Sequence, residues 1–216
     1  MIIPVYCESQ VITDVVSEIS QLFEVVICVD DGSNDNSAEL AKRAGAIVIR
    51  HPMNLGQGAA LQTGIEAALT LPEIKYFVTF DADGQHDPGD VVNMLARIKN
   101  GDVDVVFGSR FLDQRTSVSL PKRIVLKLAI FYTNAICGMK LTDAHNGLRV
   151  FNRKVAASIN LKHSGMAHAT EIVNQIGVNM FRYAEEPVHI RYTEYSKAKG
   201  QSLWNSINIF FDLLFR

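Results

Sequence analysis

The stretch "FVTFDADGQHDP", residues 77–88, decides how the fold is read. Its aromatic and β-branched start reads as a strand, yet it runs straight into Asp81, Asp83, Gln85, His86 and Asp87 before Pro88. Open α/β sheets place their ligands at the carboxyl ends of their strands, so polar residues crowded there mark a candidate site. The same arrangement recurs on either side. "MIIPVY" is a short apolar run followed by helical spacing from Val11 to Leu22. "EVVICVD" reads as a strand buried on both faces, "SAELAKRAGA" as a helix closed by glycine, and "AIVIR" as a third strand. "GAALQTGIEAALT" is helical, "YFVTFD" is the fourth strand, "PGDVVNMLARIKN" a helix with Pro88 near its start, and "VDVVFGS" the fifth strand. Strands alternating with helices predict βαβ units and an α/β, mainly parallel sheet flanked by helices.

In such a sheet the polar residues after each strand converge on one edge. Tyr6 and Glu8 follow the first strand, Asp30 and Asp31 the second, Asp81, Asp83 and Gln85 the fourth, and Ser109 and Arg110 the fifth. Asp81, Asp83 and Gln85 alternate, so an extended chain would turn all three side chains one way. Oxygen donors suit Mg²⁺ or Mn²⁺ better than Zn²⁺. Mg²⁺ commonly completes its sphere with water and substrate phosphates, so a nucleoside diphosphate is the expected partner. Other motifs fail on inspection. An EF-hand loop starting at Asp81 would need Gly and Glu where His86 and Val92 stand. Gly56 and Gly58 lack the third glycine of a dinucleotide fingerprint, since Leu61 occupies its place, and no Walker A lysine follows. His163 and His168 have no ligand-spaced partner, which favours packing over metal binding.

Composition narrows the class. Hydrophobic residues make up 48% and charged ones 20% of the 216, enough for a sizeable core and against wholesale disorder. No apolar run reaches the roughly 18 residues of a membrane span. The start "MIIPVYCESQ" shows no signal-peptide pattern, and Cys7, Cys28 and Cys137 form no CxxC pair, so a reduced cytoplasmic setting is expected. The net charge of −2 hides an asymmetry: residues 1–108 hold 6 Lys+Arg against 16 Asp+Glu, and residues 109–216 hold 15 against 7. An acidic half able to hold a cation precedes a basic half able to meet an anion or a membrane surface.

"IPVYCE", "VDDGSNDNS", "NLGQGAALQTGI", "FDADGQHDP", "GSRF" and "TDAHNGLRVFN" resemble, in this order, the motif series of family-two glycosyltransferases with the GT-A fold. The similarity is greatest to the branch of dolichyl- and undecaprenyl-phosphate sugar synthases and bacterial surface-polysaccharide transferases. It spans residues 2–202, a GT-A domain with a nucleotide-sugar half (1–110) and a smaller acceptor half (111–202). The resemblance implies that Pro4, Tyr6 and Glu8 line the base and ribose pocket, with Asp30 and Asp31 at the nucleoside. Gly58 would let backbone approach the nucleotide, and Asp81, Asp83 and Gln85 would hold Mg²⁺ or Mn²⁺ against the diphosphate of a UDP-sugar. Arg110, Arg123 and Arg149 would face donor or acceptor phosphate. Asp143 takes the place of the catalytic base, or of an orienting group where a lipid phosphate is the acceptor. Cys7 stands where the family commonly has Asn, and Gln57 where a lysine is frequent.

The rest of the second half is less regular. "PKRIVLKLAIFYTNAICG" is a largely apolar amphipathic helix, "GLRVFN" a strand, "HATEIVNQIGV" a helix, and "RYAEEPVHIRY" a strand broken at Pro187. "RYTEYSKAKGQS" sets Arg191, Lys197 and Lys199 on a loop able to close over an acceptor phosphate, with a solvated loop as the alternative. Residues 203–216, "LWNSINIFFDLLFR", form an apolar helical stripe that suits a membrane surface, a small membrane-protein partner or the domain's own core. Together these features predict an inverting, metal-dependent glycosyltransferase, peripheral on the inner face of a bacterial membrane, with a lipid-linked acceptor and no nucleic-acid role. A sugar nucleotidyltransferase and a non-catalytic sugar-nucleotide-binding subunit are the competing readings.

Overall fold

The computed structural model describes residues 1–191 other than 114, 117, 118, 164 and 166, together with residue 195. Lys197, Lys199 and the helix expected over 203–216 therefore lie outside the described residues. Seven strands form one sheet: β1 (Ile2–Val5), β2 (Ile27–Asp30), β3 (Ile47–Arg50), β4 (Tyr76–Thr79), β5 (Val105–Ser109), β6 (Arg149–Asn152) and β7 (Tyr183–Pro187), in the order β3-β2-β1-β4-β6-β5-β7. All neighbours pair in parallel except β6, which runs antiparallel to both β4 and β5.

Helices α1 (Ile12–Ser20), α2 (Ser37–Arg43), α3 (Gln57–Leu69), α4 (Pro88–Lys99), α5 (Leu120–Cys137), α6 (Arg153–Ser158) and α7 (His168–Val178) cover the two faces. Alternate strand residues divide between two cores. Ile2, Ile27, Val29, Phe77, Phe107 and Phe151 pack with residues of α3, α6 and α7, whereas Ile3, Cys28, Val78, Val106 and Val150 pack with residues of α1 and α4. This two-sided burial explains why β2 reads as an unbroken apolar run rather than an alternating one. Pro88 occupies the first turn of α4, as expected from the sequence, and the Asp87 side chain caps the helix by accepting from the Gly89 N–H.

The reversed direction of β6 matters for function. Its amino end, Arg149, lies at the edge where β1, β2, β4 and β5 end, so the 142–148 loop joins their polar residues. Glu185 of β7 holds that loop by accepting from the backbone N–H groups of Thr142 and Asp143.

Candidate active site

A cavity of about 410 Å³ opens along this edge, within the usual range for small-molecule sites. Pro4, Tyr6, Glu8, Asp31, Asn54, Gly56, Gln57, Asp81, Asp83, His145, Gly147, Arg149 and His168 are among the residues lining it. One end is built by β1 and the loop after β2. Ser33 Oγ and Ser37 Oγ accept from the backbone N–H groups of Cys7 and Glu8, and Asp35 accepts from Ser9. The "VDDGSNDNS" motif thus shapes the turn that carries Tyr6 and Glu8. Cys7 adopts φ +55°, a left-handed conformation that Asn tolerates better than most residues, which gives a backbone reason for Asn at this position in the family. Asp31 accepts from the backbone of Leu55 and Gly56 and pairs with His51 Nδ1 at 2.7 Å, so it fixes the 51–56 loop as well as lining the cavity.

At the other end stand two carboxylates. Asp81 receives Gln57 Nε2 at 3.2 Å and lies 3.0 Å from His86 Nε2. A side chain at Gly147 would strike it, because a Cβ there would sit 2.2 Å from Asp81 Oδ2. Burial raises the Asp81 pKa, but the His86 hydrogen bond and the nearby Arg149 charge outweigh it and leave the carboxyl below its ordinary value. For Asp83, burial and then the Asp81 charge win, and its pKa is pushed up to about 6. Arg149 is 1% exposed, and its Nε and Nη2 have no hydrogen-bond partner. Burial lowers its pKa to about 10 against the pull of Asp81 and Asp143, so it stays cationic at neutral pH. Burial, aided by Arg149 and Arg110, takes His145 down to about 4 despite Asp143, so its imidazole is neutral.

Several expected site residues are placed elsewhere. Gln85 does not extend the Asp81–Asp83 row: the chain turns at Ala82–Gly84, with Gly84 at φ +72°, and Gln85 is buried outside the cavity lining. Its backbone donates to Asp83 Oδ1 and accepts from the Arg191 N–H. Gly58 is needed for protein rather than nucleotide, since a Cβ there would meet His163 O at 2.0 Å. Asp30 lies beneath Arg50 Nε at 3.0 Å, outside the lining. Arg110 is drawn onto Asp143, with Nε 2.6 Å from Oδ2, and Asp143 is sealed from solvent. Arg191 pairs with Asp87 at 2.6 Å, and Arg123 is exposed on α5. Other residues of the site were given no role by the sequence reading, His145 and Tyr195 among them. His145 sits inside the quoted "TDAHNGLR", and Tyr195 of the basic loop donates its hydroxyl to Glu8 Oε2 at 2.6 Å. Only the tertiary contact distinguishes them from ordinary loop residues.

Among the described residues no group of three or more His, Cys, Asp and Glu side chains forms a metal cage. Asp81 and Asp83 can supply part of a coordination sphere, and the raised pKa of Asp83 records first its burial and then the neighbouring Asp81 charge, both of which a cation would offset. This donor set fits Mg²⁺ or Mn²⁺ completed by phosphate oxygens, and not a closed zinc site.

The mainly parallel, helix-flanked sheet has the GT-A fold of glycosyltransferases. The structure of glucosyl-3-phosphoglycerate synthase from Mycobacterium tuberculosis with Mn²⁺, UDP and phosphoglyceric acid matches with TM-score 0.70 at 16% identity, covering 99% of this chain and 76% of that one. The family model described as Glycosyl transferase family 2 matches residues 1–159, and the chain belongs to that family. It is 31% identical to a UDP-N-acetylglucosamine–dolichyl-phosphate N-acetylglucosaminyltransferase of Methanococcus voltae, covering 99% of this chain and 94% of the relative. It is 28% identical to the polyprenol monophosphomannose synthase of Mycolicibacterium smegmatis, covering 94% and 82%.

Proposed function

We propose that the chain is an inverting, metal-dependent glycosyltransferase that moves a hexose-type sugar from a UDP-sugar to a polyprenyl phosphate. The observation that carries this reading is the pairing, in one cavity, of the Asp81–Asp83 carboxylates with the buried and unpartnered Arg149 guanidinium. An anion that brings its own cation satisfies both. A nucleoside diphosphate with Mg²⁺ or Mn²⁺ is such a ligand, and the named acceptors of the relatives supply the lipid phosphate.

When bound, the cation neutralises charge on the departing diphosphate. The chain's own groups do the rest. Asp81 and Asp83 would seat the cation, and Gln57, His86 and Gly147 hold Asp81 in one orientation. Pro4, Tyr6, Glu8 and Asp31 form the nucleoside end. Arg149 donates to a phosphate oxygen, and neutral His145 and His168 line the wall without adding charge. An anionic lipid phosphate attacks without losing a proton, which agrees with Asp143 being closed off by Arg110. Asp143 then acts by orienting Arg110 rather than as a base.

Incubation with Mn²⁺, a panel of nucleotide sugars and membrane lipid extract, followed by mass spectrometry, is expected to yield one hexosyl-phosphopolyprenol from a UDP-sugar. Absence of any lipid product across the panel rejects the assignment. His86 offers a narrower check. It is buried, its ring packs edge-on against Phe80 at 5.3 Å, and it meets Asp81 through Nε2. His86→Ala is expected to weaken Mn²⁺ binding by roughly 10-fold, as loss of outer-shell support generally does. Calorimetric titration with Mn²⁺ reads that loss, and turnover at saturating Mn²⁺ should fall much less.

A further inference from the structure

Helix α5 is apolar on two opposite sides but buries only one. Ala129, Ile130, Thr133 and Cys137 face the interior. Leu120, Ile124, Leu128 and Phe131, spaced by four, four and three residues on the other side, are 53–74% exposed. Arg123 and Lys127, four apart and both exposed, flank this stripe. Across residues 120–137 the sequence has Lys122, Arg123 and Lys127 and no acid. The helix also backs the active site: Thr133 Oγ1 lies 3.3 Å from the Nε2 of His145, which lines the cavity. Among the described residues no helix is long and apolar enough to cross a membrane.

We propose that the Leu120–Ile124–Leu128–Phe131 face of α5 lies in the interface of a membrane containing anionic lipid and holds the cavity beside its lipid-phosphate acceptor. An apolar stripe flanked by cations and lacking acids is complementary to that surface, where each Lys or Arg contributes about 1 kcal/mol, roughly fivefold in binding. A second copy of α5 would oppose like charges. Residues 203–216 carry a single acid, Asp212, too little to answer three cations. The proposal deepens the acceptor reading above and is tested apart from it.

The test is sedimentation of the full chain with vesicles of phosphatidylcholine alone or with 30% phosphatidylglycerol, roughly the anionic content that a polybasic helix senses. Wild type is expected to bind the anionic vesicles at least 10-fold more strongly than the neutral ones, with about fivefold lost in Lys127→Gln. The double variant Leu128→Glu/Phe131→Glu, at exposed positions, should lose roughly 10-fold or more of the vesicle binding while keeping its melting temperature. Its transfer to a short polyprenyl phosphate dispersed in detergent should be unchanged. Vesicle binding equal to wild type in the double variant overturns the proposal, as does a change from dimer to monomer in solution, which would assign the face to a second copy. Docking of wild type without any lipid glycosylation would instead sink the functional reading and leave this one standing.

Discussion

Asp83→Ala should lower turnover by about 10²-fold or more at saturating Mn²⁺, the scale on which removing a preorganised electrostatic group acts. Initial rates with a fixed UDP-sugar check it, and near-normal turnover would remove Asp83 from the reaction. The prediction has a pH counterpart. In the free protein burial and the Asp81 charge raise the Asp83 pKa from 3.8 to about 6. The folded chain therefore holds a proton more tightly than the unfolded one, and this group's contribution turns unfavourable as pH rises from about 4 to 6. Asp83→Asn removes that penalty. Without metal, its melting temperature should exceed wild type by several degrees at pH 7.5, since the rise from 3.8 to about 6 corresponds to at most about 3 kcal/mol and each kcal/mol moves a chain of this size by about 2–4 °C. The difference should vanish toward pH 4. Wild-type Mn²⁺ affinity should fall as the pH drops through 6, because the proton and the cation compete for one carboxylate.

Arg149→Met should cost on the order of 10²-fold or more in turnover while leaving the fold as stable as before, or more so. The guanidinium is fully buried, with Nε and Nη2 unbonded, and no described carboxylate forms a salt bridge with it. Such a group costs desolvation energy that only a bound anion returns. An apolar side chain of similar length removes the cost and the anion site together. Thermal melts with and without UDP separate the two effects: the variant should melt at or above wild type when free and lose most of the UDP-induced rise. Arg149→Lys should recover little, since an ammonium lacks the planar fork that meets two phosphate oxygens. A variant that unfolds, with turnover per folded molecule intact, would make Arg149 a structural residue.

These two positions differ in how far the sequence could reveal them. Asp83 stands in a run of acids after a strand, and its placement at the sheet edge follows from local pattern alone. By local pattern Arg149 looks like any first residue of a strand, and only the family resemblance marked it for a phosphate. Its importance comes from β6 running antiparallel between β4 and β5, which turns its amino end toward their carboxyl ends. Gln85 shows the opposite failure. Its alternation with Asp81 and Asp83 assumes an extended chain, and Gly84 at φ +72° breaks that assumption. Arg110 and Arg191 are cations of the expected type, but Asp143 and Asp87 lie closer to them than the cavity does.

Local pattern by itself determined the converging edge, the acidic pair and the strand and helix order apart from α6, because side-chain periodicity and short-range turn chemistry are properties of neighbouring residues, and the motif series pointed to the family by resemblance. Only the tertiary structure decided which charges remain open to a ligand and which are closed by partners far along the chain. Pairing depends on distances of a few ångströms between segments tens of residues apart, and no local spacing encodes them. The same holds for α5. Its sequence reads as a largely apolar amphipathic helix, and only the packing of one side shows which apolar residues are left, with Phe131 74% exposed, for something outside the fold.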